Sequence, residues 1–404
     1  MNTNPATSTE RPWDGWLLVI VCALVGIGAV LIYSASGITA SWQFGDSTYY
    51  LTRQLIYIAI GFVLLIVGYK VDYRWFKRFS YPILFATIAI LILVLVAGTE
   101  VNGSKRWLRF GFFNIQPAEI AKICISFVLA YSMAKKHDKI KSFSIGVLPH
   151  LLLIGVIVGL LMLQPDFGSS VLITTLMGAM LFFAGTRLVY IIGGIVICLF
   201  FGGLAITMAS YRMARVLAFV NPWQNQDTSG YQLTESLTSI GACGLPGCGL
   251  GEGFGKLGFV PELHTDFIGT AIAEELGFFG IALIIFLYLA FASRGFLIAM
   301  RARDYFGRFT AFGITFIITL QGAINLCVIS GLLPTKGLTL PFISFGGSSL
   351  LMYMFATGVL LNISKCAEDK YAIRRAQNKA EKDLIEWDKK RERILRENQE
   401  TMMQ

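Results

Sequence analysis

The sequence predicts an all-α membrane protein that crosses a lipid bilayer about ten times. Of its 404 residues, 55% are hydrophobic and only 15% are charged, whereas about a quarter of the residues in soluble domains carry a charge. Apolar runs long enough to span a bilayer recur along the whole chain. They cover residues 16–36, 54–69, 79–97, 118–133, 147–163, 168–184, 188–208, 267–292, 309–332 and 342–363.

The distribution of Lys and Arg predicts how these runs are oriented. The net charge is +9, but the basic residues form short clusters between apolar runs, which is typical of membrane orientation and not of nucleic-acid binding. Because the side that carries most Lys and Arg is usually cytoplasmic, we expect both termini in the cytoplasm. The connections on that side contain Lys70, Arg74, Lys77, Arg78, Lys135, Lys136, Lys139, Lys141, Arg294, Arg301, Arg303 and Arg308.

Composition divides the chain into three parts. A cytoplasmic N-terminal segment is expected over residues 1–15, and a transmembrane domain over 16–364. This domain includes a large extracytoplasmic loop, 209–266, between the seventh and eighth helices. Residues 365–404 are highly charged, with apolar residues mostly at helical spacing, and predict a helical cytoplasmic tail. The first apolar run lacks a small-residue cleavage site, so it is interpreted as a span and not as a signal peptide.

The seven cysteines do not have the spacing of metal ligands. Most of them fall inside apolar runs, where cysteine behaves as a small hydrophobic residue. Cys243 and Cys248 share one polar loop and could pair if that loop faces an oxidising compartment. Simple substitution in a glycine-rich loop is enough to explain both residues and is the favoured interpretation, although the sequence leaves pairing open.

One loop departs from the charge asymmetry. Residues 100–116 lie on the predicted outer side and yet contain Lys105, Arg106 and Arg109. Three charges in a short loop are compatible with chance, but Trp107 adds an amphipathic ring that favours the membrane interface. We therefore favour a basic surface that faces an anionic ligand.

Two charged residues are expected at the start of the fourth helix. Glu119 and Lys122 are three residues apart, so they share a helix face. A simple ion pair would neutralise two charges that are costly inside a membrane. Lys122 also lies about one turn from the basic loop, where it could contact a phosphate. The residues alone leave both interpretations open.

Titratable groups gather at the boundary where the large loop meets the eighth apolar run: the acids Glu262, Asp266, Glu274 and Glu275, together with His264. Asp266 directly precedes the run, so it suits either a helix cap or a general base whose pKa is raised by partial burial. His264 fits a loop residue that bonds backbone better than one that transfers protons. Glu274 and Glu275 lie deeper, where ion pairing inside the bundle is expected.

Other candidate residues lie in the remaining outer loops. Asp166 is expected to cap the helix that follows it and is a second choice as a functional acid. Lys336 is expected on the same side of the membrane as Asp266, and Ser348 and Ser349 are expected to bond helix backbone. The glycine-rich stretch 244–258 follows no predicted strand, so it does not indicate a nucleotide loop. Its glycines instead let the backbone approach a ligand or a helix closely.

Several of these stretches together resemble the SEDS family, the shape, elongation, division and sporulation proteins. The resemblance runs in order through nearly the whole membrane portion. Residues 335–337, Thr-Lys-Gly, are more similar to the division members of the family than to the elongation members. The matching segments are KRWL (105–108), QPAEIAK (116–122), PDFGS (165–169), YQ…GLG…PELHTDF (231–267) and LPTKGLTLPFISFGGSS (333–349).

The resemblance implies a ten-helix fold and a lipid II polymerase, a peptidoglycan glycosyltransferase that acts at the outer face of the inner membrane during septal cell-wall synthesis. It also implies a class B penicillin-binding protein as partner within the division complex. The family's essential aspartate matches Asp266, and its loop tryptophan matches Trp107. Its functional lysine matches Lys122, and the glutamate of its Pro-Glu pair matches Glu262.

The chain departs from the family pattern at three places. Asn114 stands where an arginine is common, so a phosphate contact is either absent or supplied by Arg106 or Arg109. Gly269 replaces a common phenylalanine and is expected to loosen a helix start. Cys243 and Cys248 occupy a loop that is usually free of cysteine.

The implied reaction joins a sugar 4-hydroxyl to an anomeric carbon with inversion and loss of a lipid diphosphate. Asp266 is the candidate base, and Arg106, Lys122 and Lys336 are candidates to hold the diphosphate. Glu119, Glu262 and His264 are expected to contact or shape the substrate. No metal site is predicted, although a divalent cation could assist. The alternatives are a lipid II flippase, an elongation-type polymerase and a non-catalytic scaffold.

Overall fold

The computed structural model describes residues 13–101, 104–111 and 113–366, together with Trp387 and Arg391. The chain divides into two units, Met1–Cys366 and Ala367–Gln404. In the second unit, the Arg391 guanidinium lies 5.6 Å from the centre of the Trp387 ring. Apart from Trp387 and Arg391, the predicted tail helix lies outside the described residues, as does most of the N-terminal segment.

The first unit is built almost entirely of helices. Most of them are separated by short connections; the longer segments without a long helix are 98–116 and 221–267. The bounds are α1 Gly15–Phe44, α2 Tyr49–Lys70, α3 Tyr73–Arg78, α4 Ser80–Ala97, α5 Pro117–Lys135, α6 Leu148–Leu163, α7 Phe167–Phe183, α8 Leu188–Thr207, α9 Ser210–Val220, α10 Tyr231–Ala242, α11 Ile268–Glu275, α12 Gly277–Arg301, α13 Tyr305–Ile329 and α14 Gly347–Lys365.

The helices confirm a polytopic membrane protein. Nine helical segments of the described residues are long and apolar enough to cross a bilayer, and one of them is Phe143–Leu163, in which a π-helical turn leads into α6. The helix α7 is also apolar but has only 17 residues, close to the lower limit of about 17 for a span. Every predicted run except the eighth coincides with a helix or with most of one, because a continuous apolar run in lipid must satisfy its backbone hydrogen bonds internally.

The eighth predicted run, 267–292, is wrong as a single helix. It forms α11 and α12, which are separated by a break at Gly277. The backbone of Gly277 is left-handed, with φ +62°, and a Cβ there would lie 2.2 Å from the Leu245 carbonyl oxygen. Only glycine allows this turn without strain, and apolar composition gives no sign of it.

The predicted all-α class is confirmed, and the loop 100–116, for which the sequence predicted no secondary structure, adds strands to it. This loop forms a small antiparallel sheet of β1 Thr99–Val101, β2 Ser104–Phe110 and β3 Phe113–Ile115, in the order β1-β2-β3. In its register, Glu100 pairs with Lys105 and Arg109 pairs with Asn114. The sheet fixes the position of the basic residues, which a flexible loop would not do.

The core of the bundle is formed by α5, α13 and α14, which carry the longest sets of buried residues. The helices α2 and α14 approach closely at glycines: a Cβ on Gly68 would lie 2.5 Å from the Phe355 carbonyl oxygen. Small residues at such crossings are typical of helix packing in membranes. In contrast, α8 has no buried residue, so its apolar surface is available to lipid.

Candidate functional site

The site lies at one end of the bundle, which we call the loop end. This end carries β1–β3, the segment from α9 to α11, and the connection 330–346 between α13 and α14. Side-chain contacts hold these parts together: Arg106 of β2 bonds residues 164 and 165, and Arg215 of α9 bonds the Thr335 carbonyl oxygen. Residues far apart in sequence therefore meet at one surface.

Asp266 lies in the turn that precedes α11, and its side chain is partly buried. The N-cap position of α11 is Phe267, and no side-chain cap bond is formed there. The capping interpretation of Asp266 is therefore wrong. Its backbone carbonyl accepts a hydrogen bond of 2.8 Å from Asn325 Nδ2. A Cβ on Gly337 would lie 3.2 Å from Asp266 Oδ2, so the connection 330–346 passes directly beside the carboxylate.

The surroundings of Asp266 raise its pKa to about 6, chiefly through burial. The Glu262 carboxylate raises this pKa further, the Arg215 guanidinium lowers it, and Glu119 contributes a smaller increase. Burial disfavours the ionised carboxylate, and nearby negative charge adds to that effect. A carboxyl group with a pKa near 6 can exchange protons close to neutral pH.

Four cationic side chains line one cavity at the loop end: Arg106, Arg212, Arg215 and Lys336. We call this cavity the basic pocket; its wall also includes Asp166. Lys336 directly precedes Gly337, and a Cβ on Gly337 would lie 3.2 Å from Asp266 Oδ2, so the basic pocket adjoins the carboxylate. Clustered guanidinium groups are suited to phosphate, which they bind through paired N–H donors.

Sequence reasoning did not find Arg212 and Arg215. Both belong to α9, three residues apart on one helix face. The signal that identified Lys105, Arg106 and Arg109 also applied to them, since they open the predicted outer loop against the charge asymmetry. Charge alone did not indicate that α9 would fold back onto the connection 330–346.

The basic residues of β2 divide between two environments. Arg106 Nε donates to the Gln164 carbonyl oxygen at 2.9 Å and Nη2 donates to the Pro165 carbonyl oxygen at 2.5 Å. These bonds fasten β2 to the turn before α7. Lys105 and Arg109 are exposed, and Trp107 is partly buried. Of the basic residues predicted in this loop, the structure brings only Arg106 into the basic pocket.

Lys122 is completely buried inside the bundle. Its Nζ donates to Glu119 Oε1 at 2.7 Å, to Gln321 Oε1 at 2.5 Å and to the Tyr353 hydroxyl at 3.2 Å. The ion pair that the sequence left open is therefore present. Three partners use the three donors of the ammonium group, so Lys122 does not point into the basic pocket in this structure.

Asp166 acts as the predicted cap, because its Oδ1 accepts from the Ser169 amide at 3.0 Å. Its other oxygen, Oδ2, is buried without a hydrogen-bond partner among the described residues. Lys336 is partly buried, and burial lowers the pKa of its ammonium group. As predicted, Ser348 and Ser349 bond backbone: Ser348 Oγ accepts from the Gln116 amide, and Ser349 Oγ donates to the Gly346 carbonyl oxygen.

His264 and Glu262 flank the carboxylate on its own loop. The His264 ring lies 4.3 Å from that of Tyr50 and 5.8 Å from that of Phe345, and burial lowers its pKa. Its carbonyl oxygen also accepts from the Phe345 amide. Glu262 is exposed and has a left-handed backbone with φ +54°. Such a conformation is uncommon for a residue with a side chain and often marks a functional turn.

The predicted ion pairs of Glu274 and Glu275 are wrong. Glu274 Oε1 accepts from the backbone amides of Phe254 and Gly255, and Glu275 Oε1 accepts from Ser34 Oγ. The glycine-rich stretch 244–258 wraps the end of α11, and a Cβ on Gly253 would lie 3.0 Å from Glu274 Oε2. Backbone amides at Glu274 and a hydroxyl at Glu275 thus replace the expected cations, and the glycines allow the backbone to approach Glu274.

Two further sequence questions are settled by contacts in the same region. Cys243 and Cys248 form a disulfide, with their Cα atoms 5.0 Å apart. Gly269 does not loosen the start of α11: it is buried, and a Cβ there would lie 2.5 Å from Ile329 Cδ1. It is a close-packing position against α13.

Among the described residues no group of three or more His, Cys, Asp or Glu side chains has the arrangement of a metal site.

The bundle and its loop end define a polytopic membrane protein with a titratable carboxylate beside a basic pocket. The family described as "Cell cycle protein", which covers the FtsW, RodA and SpoVE types, matches residues 15–369. The chain therefore belongs to this family, the SEDS family, and the resemblance seen in its motifs is confirmed.

Relatives and solved structures agree with this assignment. A protein of Trichlorobacter lovleyi named "Probable peptidoglycan glycosyltransferase FtsW" is 44% identical over 354 residues, which cover 87% of this chain and 93% of the relative. Stage V sporulation protein E of Bacillus subtilis is 38% identical over 362 residues, covering 89% and 99% of the two chains. A chain solved in work called "Structural coordination of polymerization and crosslinking by a peptidoglycan synthase complex" superimposes with a TM-score of 0.74 at 27% identity, covering 87% and 98%.

Proposed function

We propose that this chain is a peptidoglycan glycosyltransferase that polymerises lipid II at the outer face of the inner membrane during division. Family membership and the names of its relatives support this class of reaction. The observation that carries the proposal is the position of Asp266, whose pKa is raised to about 6, beside a pocket lined by four cationic side chains. An acid that can take a proton next to cations that can hold a diphosphate is what this transfer needs.

In the proposed reaction, the 4-hydroxyl oxygen of one sugar attacks the anomeric carbon of another. The new C–O bond forms as the bond from that carbon to the diphosphate breaks, and the diphosphate leaves with the electron pair. Asp266 accepts the hydroxyl proton. With a pKa of about 6, it is ionised by about ten to one at pH 7 and remains basic enough to act.

The leaving diphosphate gains negative charge as the bond breaks, and the basic pocket is suited to stabilise it. Arg106, Arg212 and Arg215 bring guanidinium N–H donors to this pocket, and such donors bind phosphate oxygens in pairs. Arg106 is held in place by two carbonyl oxygens, so its orientation is fixed before substrate arrives. Preorganised donors of this kind stabilise developing charge without having to reorganise. We assign Lys122, which is held by Glu119, to supporting the site from inside the bundle.

A class B penicillin-binding protein is the proposed partner, because polymerised strands must be cross-linked by a transpeptidase. The similarity to a chain from a peptidoglycan synthase complex supports this partnership. We also propose that both termini are cytoplasmic and that the loop end faces outward, at the septum. The connections at the opposite end carry more Lys and Arg than those of the loop end, which supports the orientation.

The function is tested with purified protein in detergent, supplied with lipid II. We expect Asp266→Asn to lower the polymerisation rate by about a hundredfold or more, because the amide cannot accept the proton. Asp227→Asn, at an exposed position of the same large loop, is the control and should keep the wild-type rate. Polymerisation by Asp266→Asn at the wild-type rate would exclude Asp266 as the base. A wild-type protein that polymerises nothing in detergent would favour a flippase, whose activity needs a sealed bilayer.

A further inference from the structure

Asn325 of α13 connects the two loops that form the site. Its side chain is only 2% exposed, and Nδ2 donates to the backbone carbonyl oxygens of Asp266 at 2.8 Å and of Leu338 at 2.6 Å. The orientation of the amide follows from its partners, since the reverse orientation would place Oδ1 against two other acceptors. One carboxamide thus satisfies a carbonyl in each loop.

The other side of the amide is tightly packed. Oδ1 is buried without a hydrogen-bond partner among the described residues, and it lies 3.7 Å from the position that a Cβ on Gly269 would take. Because Gly269 also presses against Ile329 of α13, the first turn of α11 has little freedom to move relative to Asn325. A buried acceptor without a partner is unfavourable, so the hydrogen bonds that hold this side chain come from the donor half of the amide.

A second amide one turn earlier on α13 extends the connection. Gln321 Nε2 donates to the Thr339 carbonyl oxygen at 2.9 Å, while Oε1 accepts from Lys122 and from the Tyr353 hydroxyl. Leu338 and Thr339 follow Lys336 closely in the chain. Two successive residues of the connection 330–346, Leu338 and Thr339, are therefore bonded to α13. Asn325 also bonds the loop of Asp266, so it links that loop to the connection.

We propose that Asn325 is a positioning residue for Asp266. By bonding the backbone of Asp266 and of Leu338 together, it fixes the carboxylate relative to the basic pocket in which Lys336 lies. This inference rests on the proposed role of Asp266 as base. Small displacements of a reacting group lower rates strongly, by about a hundredfold for 1 Å, so a residue that sets this spacing affects turnover more than substrate affinity.

Loss of the amide also has an electrostatic consequence. Three charged groups act on Asp266: Glu262 from its own loop, Arg215 from α9 and Glu119 from α5. Without Asn325, two carbonyl oxygens lose their donor, and the loop is expected to loosen and admit water. Hydration favours the ionised carboxylate, so the pKa of Asp266 should fall toward its ordinary value and the acidic limb of the pH–rate profile should move to lower pH.

The test compares Asn325→Leu with Asn362→Leu in full-length protein assayed with lipid II. Asn362 is a matched control, because it is a buried asparagine that also joins backbone groups, the Tyr69 carbonyl oxygen and the Tyr73 amide, far from Asp266 in α14. We expect Asn325→Leu to lower kcat by about tenfold or more with KM changed less than twofold, and to shift the acidic limb from near pH 6 downward. Asn362→Leu should lower thermal stability similarly and leave the acidic limb in place.

The outcomes separate this inference from the proposed function. If Asp266→Asn is inactive and both leucine variants have the same kcat and acidic limb, Asn325 has only a structural role and the inference is overturned. If Asp266→Asn is active, the assignment of the base fails regardless of Asn325. Should Asn325→Leu not fold, Asn325→Ala removes the same donor without adding bulk, and an unshifted acidic limb in that variant equally overturns the inference.

Discussion

Asp266 illustrates how neighbours decide the chemistry of one residue. In sequence it stands directly before an apolar run, where capping and catalysis are both reasonable. In the structure it caps nothing, because Phe267 holds the N-cap position of α11, and its pKa is raised to about 6 by burial and by Glu262. The pKa of the Asp266 carboxyl group is thus set by burial and by charged groups from its own loop, from α9 and from α5.

Replacing Glu262 with glutamine should move the acidic limb of the rate to lower pH. The Glu262 carboxylate raises the pKa of Asp266, so its removal lowers that pKa, and the ionised base persists at lower pH. Relative to its own optimum, Glu262→Gln should therefore retain more activity at pH 5.5 than the wild type. The measurement is kcat for lipid II polymerisation between pH 5 and 8.

Glu252→Gln is the control for this shift. Glu252 is an exposed acid in the glycine-rich stretch, and it is not among the groups that act on the pKa of Asp266. Its acidic limb should coincide with that of the wild type. An equal shift in both variants would indicate a general effect of net charge, and no shift in Glu262→Gln would contradict the coupling.

At the scale of elements, α5, α13 and α14 share a polar network within the apolar bundle. Lys122 and Glu119 of α5 meet Gln321 of α13 and Tyr353 of α14. Buried ion pairs contribute little net stability, but removal of one partner leaves an uncompensated charge. The network therefore fixes how these three helices fit together and supports the connection 330–346 through Gln321.

Lys122→Met should destabilise the protein by about 3–5 kcal/mol, because it leaves the Glu119 carboxylate buried without its cation. Adding Glu119→Gln to Lys122→Met should restore much of this loss, since no charge then remains to be paired. The measurement is thermal unfolding in detergent.

The ion pair of Arg294 with Asp14 provides a comparison at the opposite end of the bundle. The Arg294 side chain is 31% exposed, so water can solvate the charges when the pair is broken, and Arg294→Met should cost less than Lys122→Met. If Lys122→Met unfolds at the wild-type temperature, the network does not hold the helices together, and direct contact of Lys122 with phosphate becomes the better interpretation.

At the scale of the whole molecule, the fold concentrates function at the loop end. Residues from β2, α7, α9 and the connection 330–346 line one pocket, and Asp266 adjoins it. The disulfide of Cys243 and Cys248 belongs to the same end, where Cys248 and Gly249 donate to the last carbonyl oxygens of α11. Disulfides persist in oxidising compartments, which agrees with the proposed outward orientation.

Cysteine labelling tests that orientation in intact cells. With a membrane-impermeant maleimide we expect Cys243 and Cys248 to react only after a reductant has opened the disulfide. Cys366, at the other end of α14, should react only after the membrane is permeabilised. Peptide mapping identifies the labelled residues. Labelling of Cys366 in intact cells would reverse the proposed topology.

The sequence predicted most of the fold because membrane-spanning helices have a simple hydropathy pattern. A bilayer requires long apolar runs with internal hydrogen bonding, and the predicted runs coincide with helices. The same rule missed the break at Gly277 and the sheet β1–β3, because both depend on close backbone contacts that composition does not encode. It also missed Arg212 and Arg215, whose importance follows from where α9 folds.

By itself, then, the sequence determined the apolar runs, the basic surplus of one set of connections and the family motifs that point to Asp266, Trp107, Lys122 and Glu262. Only the tertiary structure decided which of these groups meet. In the folded chain Lys122 lies inside the bundle with Glu119, and α9 lies near the Asp266 carboxylate. Asn325 bonds both the loop of Asp266 and the connection 330–346. The physical reason is that hydrophobicity is a local property of the chain, whereas pairing, burial and pKa are set by partners distant in sequence.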